Sequence, residues 1–243
     1  MKIVADTHTH TLASGHAYST IREMAEMAKE HGMEAICFTE HAPELSGTCG
    51  LYYFRNLRIL PRERWGLQTF YGAEVNILDK NGTVDLPEDL LKTLDIVIAS
   101  VHTPCFKDEP TVEHVTSAMV NAMKNPYINV IGHPDDDRFP VDYDVLARTA
   151  KETGTLLEVN NSSMRTDTFR MNAKPNIKAM LEACKKYGTM ITTGSDSHLD
   201  LDAGVLTNSI NIIEECEFPE ELVATTSLEK LKSYMNRFKR CGL

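Results

Sequence analysis

Between residues 6 and 16 the chain reads DTHTHTLASGH, which puts three histidines within nine residues directly after a short β-branched run. A packed core has no use for such crowding, because each imidazole brings two polar nitrogens that burial must satisfy. His8 and His10 are two apart, and in an extended strand such side chains share a face. Both rings then aim at one point, which is how a strand end offers nitrogen ligands to a metal ion. Later histidines follow the same rule singly. His41 ends AICFTEH, His102 ends IVIASVH, His133 ends INVIGH and His198 ends GSDSH. Two carboxylates hold equivalent places, Glu74 at the end of TFYGAE and Asp196 within GSDSH. With His16 this makes seven imidazoles and two carboxylates, too many donors for one ion. Zinc takes about four N and O ligands, and a catalytic site leaves one position open. Nine donors with one bridging carboxylate suit three ions. His31 and His114 provide the contrast: one falls in a last helical turn, where a cation complements the dipole, the other inside a helix, and both read as structural.

These donors need elements that present them together. Short β-rich runs recur at KIVAD, AICFTE, TFYGAE, IVIAS, INVIG, LLEVN and MITTG, mostly separated by helical segments. The first helix opens with a capping box at Thr20 and Glu23, carries Ile21, Met24, Ala25, Met27 and Ala28 as an apolar stripe, and stops at Gly32. Met24 and Met27 read as ordinary core. Further helices are expected over 111–124, 142–153, 175–187 and 227–239, the last capped by Thr226 and Glu229. Residues 42–68, aromatic and Arg-rich with Pro43 and Pro61, read as an irregular flank of the site. Parallel strands need crossover connections, so seven βα units predict a parallel sheet. An open doubly wound sheet would carry a Gly-rich loop after its first strand, and none is present. The expected fold is therefore α/β, a distorted (βα)7 TIM-like barrel in a single domain, with strand C-terminal ends opening on one face.

The bulk numbers are those of an ordinary globular chain: 243 residues, 42% apolar and 25% charged. No run approaches the ~18 apolar residues of a membrane span, and the N-terminus enters a strand with no signal-peptide pattern; a cytoplasmic protein without membrane partners is expected. Six cysteines without CxxC spacing read as free thiols, with Cys49 and Cys105 near the loops of interest. A formal charge of −10 argues against a stable nucleic-acid partner. Whether the protein forms homo-oligomers is left open.

The motifs together resemble the PHP family, named for polymerase and histidinol phosphatase domains. HTH at the start, TEH at the second strand, GxE at the third, single histidines after the fourth and fifth, and GSDSH near the end follow that family's order. HAYST (16–20) and VNNSS (159–163) are similar to its small stand-alone bacterial phosphatases. The resemblance runs from Ile3 to about Gly204, which makes 3–204 the metal-site core and 205–243 a C-terminal helical segment of one PHP domain over 1–243. It implies a trinuclear site, usually zinc and sometimes manganese or iron. His8, His10, Glu74 and Asp196 would hold the first ion. Glu74 would bridge to a second held by His102 and His133, and His16, His41 and His198 would hold the third.

Three divalent ions bring +6, taking the formal charge from −10 to −4 and leaving a cationic pocket near +4 once two carboxylates are counted. Such a pocket selects small anions, and phosphate monoesters fit. Water shared by two ions has its pKa lowered from its bulk value to roughly 7. The expected reaction is in-line attack of that hydroxide on phosphorus, with Glu74 bridging and Asp196 hydrogen-bonding the nucleophile or shuttling its proton. Arg58, in NLRILPR, is the candidate for the substrate phosphate. Glu158 and Asn160, on one face of a strand that supplies no ligand, either orient histidines or cap the barrel. Ser162 and Ser163 either meet substrate or cap a helix or loop. An amidohydrolase of cyclic amides or lactones is the alternative, although that pattern bridges its metals with a lysine where this chain has His102. A non-catalytic metal-binding protein is the third reading. The physiological substrate is open among histidinol phosphate, a nucleotide and a sugar phosphate, and its selection falls to residues 42–68 and 103–110.

Overall fold

The structure, a computed structural model, describes residues 1–241. Among these residues eight strands are present: β1 (Ala5–Thr9), β2 (Ala35–His41), β3 (Glu63–Arg64), β4 (Leu67–Asn76), β5 (Val97–Ser100), β6 (Val130–Ile131), β7 (Leu156–Asn160) and β8 (Ile191–Gly194). Seven run parallel in the order β1-β2-β4-β5-β6-β7-β8, and β3 is a short antiparallel flap on β4. Beyond β8 the chain returns to β1: the Asp196 amide donates to the His8 carbonyl at 2.8 Å and the His10 amide to the Ser197 carbonyl at 2.9 Å. These bonds nearly close the barrel, a single α/β domain of the expected distorted (βα)7 form.

Helices α1 (Ile21–Glu30), α2 (Leu51–Asn56), α3 (Glu88–Leu91), α4 (Val112–Met123), α5 (Tyr143–Thr153), α6 (Ala173–Tyr187), α7 (Thr207–Glu215), α8 (Leu228–Tyr234) and α9 (Asn236–Cys241) complete the fold. Helix α1 has the expected capping box, with the Thr20 side chain accepting from the Glu23 amide and Glu23 reaching back to Thr20. Two expectations need correction. The segment 42–68 is not wholly irregular: α2 buries Phe54, and Leu57 is buried just after it. The expected helix 227–239 is two helices, because Met235 is extended (ψ 141°), and its cap is Ser227, which accepts from the Lys230 amide, rather than Thr226. Cys37, Cys49, Cys105, Cys184 and Cys216 are free thiols, and the Cys241 side chain lies outside the described residues. No helix among the described residues is long and apolar enough to cross a membrane.

Alternation along each strand separates two cores. Ile36, Phe38, Tyr71, Ala73, Val75, Val97, Ala99, Leu157 and Val159 point outward to the helices. Ala5, Ala35, Cys37, Phe70, Ile96, Ile98, Val130 and Leu156 point inward at the strand N-terminal ends, where Ala224, Leu231 and Met235 plug the barrel. The C-terminal segment thus seals the floor and leaves the opposite mouth for chemistry.

The inward row sets a parity problem for β1. If Ala5 faces inward, strict alternation sends Thr7 and Thr9 inward and both histidines out. The β1–β2 register shifts between Asp6 and Thr9, where three steps on β1 match two on β2. That one-residue bulge flips the face and turns His8 and His10 into the barrel. His133 has a similar origin: it follows inward Gly132, and its φ of 28° swings the ring back toward the axis.

Room for these rings comes from missing side chains. A Cβ at Gly194 would lie 2.3 Å from Glu158 Oε1 and 2.5 Å from the His8 Cβ. We expect Gly194→Ala to lower unfolding stability by about 1–3 kcal/mol, the range for overpacking a filled interior, and to displace His8. Chemical denaturation measures the first; an unchanged midpoint would show that the interior has slack.

Candidate metal centre

Glu74, near the end of β4, is fully buried and stands at the middle of the donor cluster. Its Oε2 lies 2.6 Å from His41 Nδ1, 3.4 Å from His8 Nε2 and 3.5 Å from His10 Nε2. Its Oε1 lies 2.9 Å from His133 Nε2 and 3.3 Å from His102 Nε2. Asp196 Oδ1 lies 3.3 Å from His10 Nε2, 3.7 Å from His8 Nε2 and 3.8 Å from His198 Nδ1. His198 Nε2 in turn faces His16 Nε2 at 3.1 Å. All nine donors expected from the sequence are brought together, whereas His31 bonds the Ala203 carbonyl and His114 the Glu109 carbonyl.

His8 Nε2, His10 Nε2, His41 Nδ1 and Glu74 Oε2 are buried with no hydrogen-bond partner among the described residues. Their mutual approaches are short but lack hydrogen-bond alignment. Leaving one such group unpaired costs about 1–3 kcal/mol, so four at one point are a heavy penalty for the chain alone. A divalent ion reverses that balance, since structural zinc binding in peptides releases about 10–16 kcal/mol. The donor set fits metal. Three groups each bring their ligand atoms within 4.8 Å of one another: His8, His10 and Glu74; His41, Glu74 and His102; and His10, His41 and His198. These overlap the division implied by the resemblance without repeating it, because His41 reaches Glu74 as well as His198's side of the cluster.

The far nitrogens are tied down. His8 Nδ1 meets Glu158 Oε1 at 2.8 Å, and His102 Nδ1 meets Asn76 Oδ1 at 2.7 Å. Glu158 Oε2 also accepts the His133 amide at 2.8 Å, and Asn160 Nδ2 donates to Asp196 Oδ2 at 3.2 Å. Of the two roles open for Glu158 and Asn160, the structure places them against donor side chains. Partners of this kind fix a ring's tautomer and orientation.

Charge is arranged to suit. Burial works against the Glu74 carboxylate, yet His102, His8 and His41 hold it well below the usual range. Burial likewise opposes Asp196, which His8 and Arg170 hold well below its ordinary value. Burial lowers His41 to about 4 and, with His41 and His198 alongside, takes His10 well below its usual value. Neutral imidazoles are the form that coordinates.

Above the cluster opens a cleft of about 750 Å³. Arg170 is its buried cation, donating to Asp196 Oδ2 at 2.8 Å and, at 3.1 Å each, to Asn160 Oδ1 and Ser163 Oγ. Arg138 and Arg165 line the cleft as well, with Tyr18, Phe139, Phe169 and Leu199. Ser162 lines it too, whereas Ser163 is buried and turned to Arg170 and Asn160. Arg58 is not brought there: it is exposed on the turn after α2 and lines a separate pocket with Arg55, Arg62 and Asp89. Neither Cys49 nor Cys105 reaches the cleft wall. Sequence reading missed Arg170, which sits in a loop with no periodicity to mark it. It also missed Asn76, although a residue two beyond Glu74 shares its face.

The family model for the PHP domain matches residues 6–162. A probable phosphatase of Acetivibrio thermocellus is 44% identical over 239 residues, covering 98% of each chain. A probable phosphatase of Thermoanaerobacter sp. (strain X514) is 43% identical over 240 residues, covering 99% of this chain and 97% of the relative. Among solved structures, histidinol phosphate phosphatase from Lactococcus lactis, determined with zinc, L-histidinol and phosphate, superposes with a TM-score of 0.64 at 21% identity. That match covers 89% of this chain and 94% of the other and establishes a shared fold.

A site that stores unpaired donors should gain stability when they are filled. Zinc at 100 times its dissociation constant is expected to raise unfolding free energy by about 2.7 kcal/mol per site, read as a higher melting temperature that a chelator reverses. A melting temperature indifferent to zinc, manganese and chelator would remove the metal centre.

Proposed function

The chain belongs to the PHP domain family, and from that premise we propose that it is a metal-dependent phosphatase acting on small phosphomonoesters. The observation that carries this reading is the convergence of partnerless imidazole and carboxylate atoms beneath a cleft that His41 lines and that also presents a buried arginine. The names of its near relatives support the same reading.

Three divalent ions are the proposed complement, zinc first because the ligands are N and O donors. His8, His10, His16, His41, Glu74, His102, His133, Asp196 and His198 would hold them. Bound there, such ions supply positive charge to phosphoryl oxygens and lower the pKa of nearby water. The protein's own groups do the rest. Arg170 has five N–H donors and the contacts above use three, leaving two for phosphoryl oxygens; the phosphate role moves from Arg58 to it. Its pairing with Asp196 ties the position of the substrate to that carboxylate. Asp196 stays ionised, so it accepts hydrogen bonds, and Oδ1, the oxygen turned away from Arg170, is placed to orient the attacking water. The cleft walls, with Tyr18 76% and Phe169 72% exposed, receive the organic part of the ester. A volume of about 750 Å³ suits a small molecule, and the acidic chain discourages a polyanionic duplex.

The test is inorganic phosphate released from a panel of phosphomonoesters by protein loaded with Zn²⁺ or Mn²⁺. Asp196→Asn is expected to reduce kcat roughly 10²–10⁴-fold, the range for a positioned acid–base group. Arg170→Met should raise KM by roughly 10- to 100-fold, as expected for losing hydrogen bonds to a charged group. Metal-loaded protein that releases no phosphate from any ester would sink the phosphatase reading and send the search to cyclic amides and lactones.

A further inference from the structure

Glu40 immediately precedes the donor His41 but points elsewhere. Its buried carboxylate collects four donors: the Thr11 amide on Oε2 at 2.9 Å, Thr11 Oγ1 on Oε1 at 2.6 Å, Ser14 Oγ on Oε2 at 2.6 Å and Tyr53 Oη on Oε1 at 3.4 Å. Burial pushes the Glu40 carboxyl up, but all four contacts suit the ionised form, which only accepts, so the one Ser14 hydroxyl proton goes to Glu40. Two further contacts reach Ser14 Oγ, the His41 backbone amide at 3.1 Å and His10 Nδ1 at 3.1 Å. A serine hydroxyl has one proton and two lone pairs. With the proton committed to Glu40 and one lone pair taken by the His41 amide, the remaining lone pair accepts from His10. His10 must therefore carry its hydrogen on Nδ1. Its Nε2 then turns a bare lone pair toward Glu74 and Asp196, where it is buried and has no other partner.

We propose that Glu40 and Ser14 are positioning residues that set the tautomer of His10 and so make its Nε2 a metal ligand. The proposal rests on the metal-site reading above and deepens it. Without Glu40, the Ser14 hydroxyl is free to turn and donate to His10 Nδ1, which drives the hydrogen to Nε2 and removes the ligand lone pair. The same serine holds the His41 amide, so the device links two neighbouring donors through one oxygen. Glutamine at position 40 keeps the arrangement. Its carbonyl oxygen can take the place of Oε2, facing the Thr11 amide and Ser14. Its NH₂ then meets the Thr11 and Tyr53 hydroxyls, which rotate to accept.

The experiment uses ¹⁵N-histidine-labelled full-length protein, with His10 assigned by its loss in His10→Gln. In metal-free protein, the long-range ¹H–¹⁵N spectrum should show His10 protonated on Nδ1. Ser14→Ala and Glu40→Leu should move it toward the Nε2–H form and weaken zinc binding about 10- to 100-fold, the usual effect of losing a partner of a ligating histidine. Glu40→Gln should keep both the wild-type tautomer and the wild-type zinc affinity, which separates the relay from a general loss of folding. Wild-type His10 protonated on Nε2, or Ser14→Ala with unchanged tautomer and zinc affinity, would overturn the proposal. Wild-type protein that binds no zinc would instead defeat the metal-site reading, while the His10 resonance still decides the tautomer.

Discussion

Glu74 is a carboxylate with no exposed surface and five imidazole nitrogens within 3.5 Å. Taking such a charge out of water costs several kcal/mol even after relaxation, and neutral imidazoles alone return little of it. The structure reads as a set of consequences of that one placement. His8 is the ring that answers it in the bare chain: burial would pull it down, but Glu158, Glu74 and Asp196 together raise it well above its ordinary value. The other rings near Glu74 cannot all charge at once, because they repel one another, and burial keeps His41 and His133 below their usual range. The cluster is thus only partly compensated by its own protons. Divalent cations do what a few extra protons cannot, since each contributes two charges and accepts several lone pairs at one point.

Such a cluster tolerates little movement, and the barrel supplies the rigidity. Strand ends deliver β2, β4, β5 and β7 side chains to one mouth by simple alternation. Where alternation fails, the backbone is bent to compensate. The bulge in β1 reverses the face of His8 and His10, and left-handed residues occur at His133 and Asp196, φ 28° and 54°. Local strain of about 1–3 kcal/mol per such residue persists only where its surroundings over-determine it. At His133 the Glu158 carboxylate grips the backbone amide, and at Asp196 the His8 carbonyl does. The Glu158 carboxylate that orients the His8 ring therefore also holds the strained backbone at His133.

This division explains what the sequence made legible. Position after a β-rich run picked out nine side chains that the fold brings together, because a parallel barrel sends every strand C-terminus to the same side. The shared face of His8 and His10 followed from a period of two. Which face it was did not follow, because the bulge leaves no mark in a string of Thr and His. Arg58 was chosen for its place in an Arg-rich loop, but composition says nothing of direction, and α2 turns that loop toward a separate pocket. Arg170 was invisible for the opposite reason: it is brought in from a loop after β7 by contacts with Asp196, Asn160 and Ser163 that exist only in three dimensions.

The cleft's charge shows where its selectivity must originate. Arg138 is paired with Asp136, Arg165 with Asp167 and Asp202, and Arg170 with Asp196. Each arginine is answered by at least one aspartate, so the walls carry no net positive charge of their own. In a chain of formal charge −10, attraction for the proposed anionic ester then has to come from the floor, where the donors converge. The paired arginines serve a different end. Held by carboxylates, and in two cases near the exposed Phe169 ring at 4.9 and 5.6 Å, they are pre-oriented donors that cost little entropy to use. On the proposed reading, a cleft built this way attracts a phosphoryl group only when its floor is loaded, and recognition of the organic group falls to shape and aromatic contact at the rim.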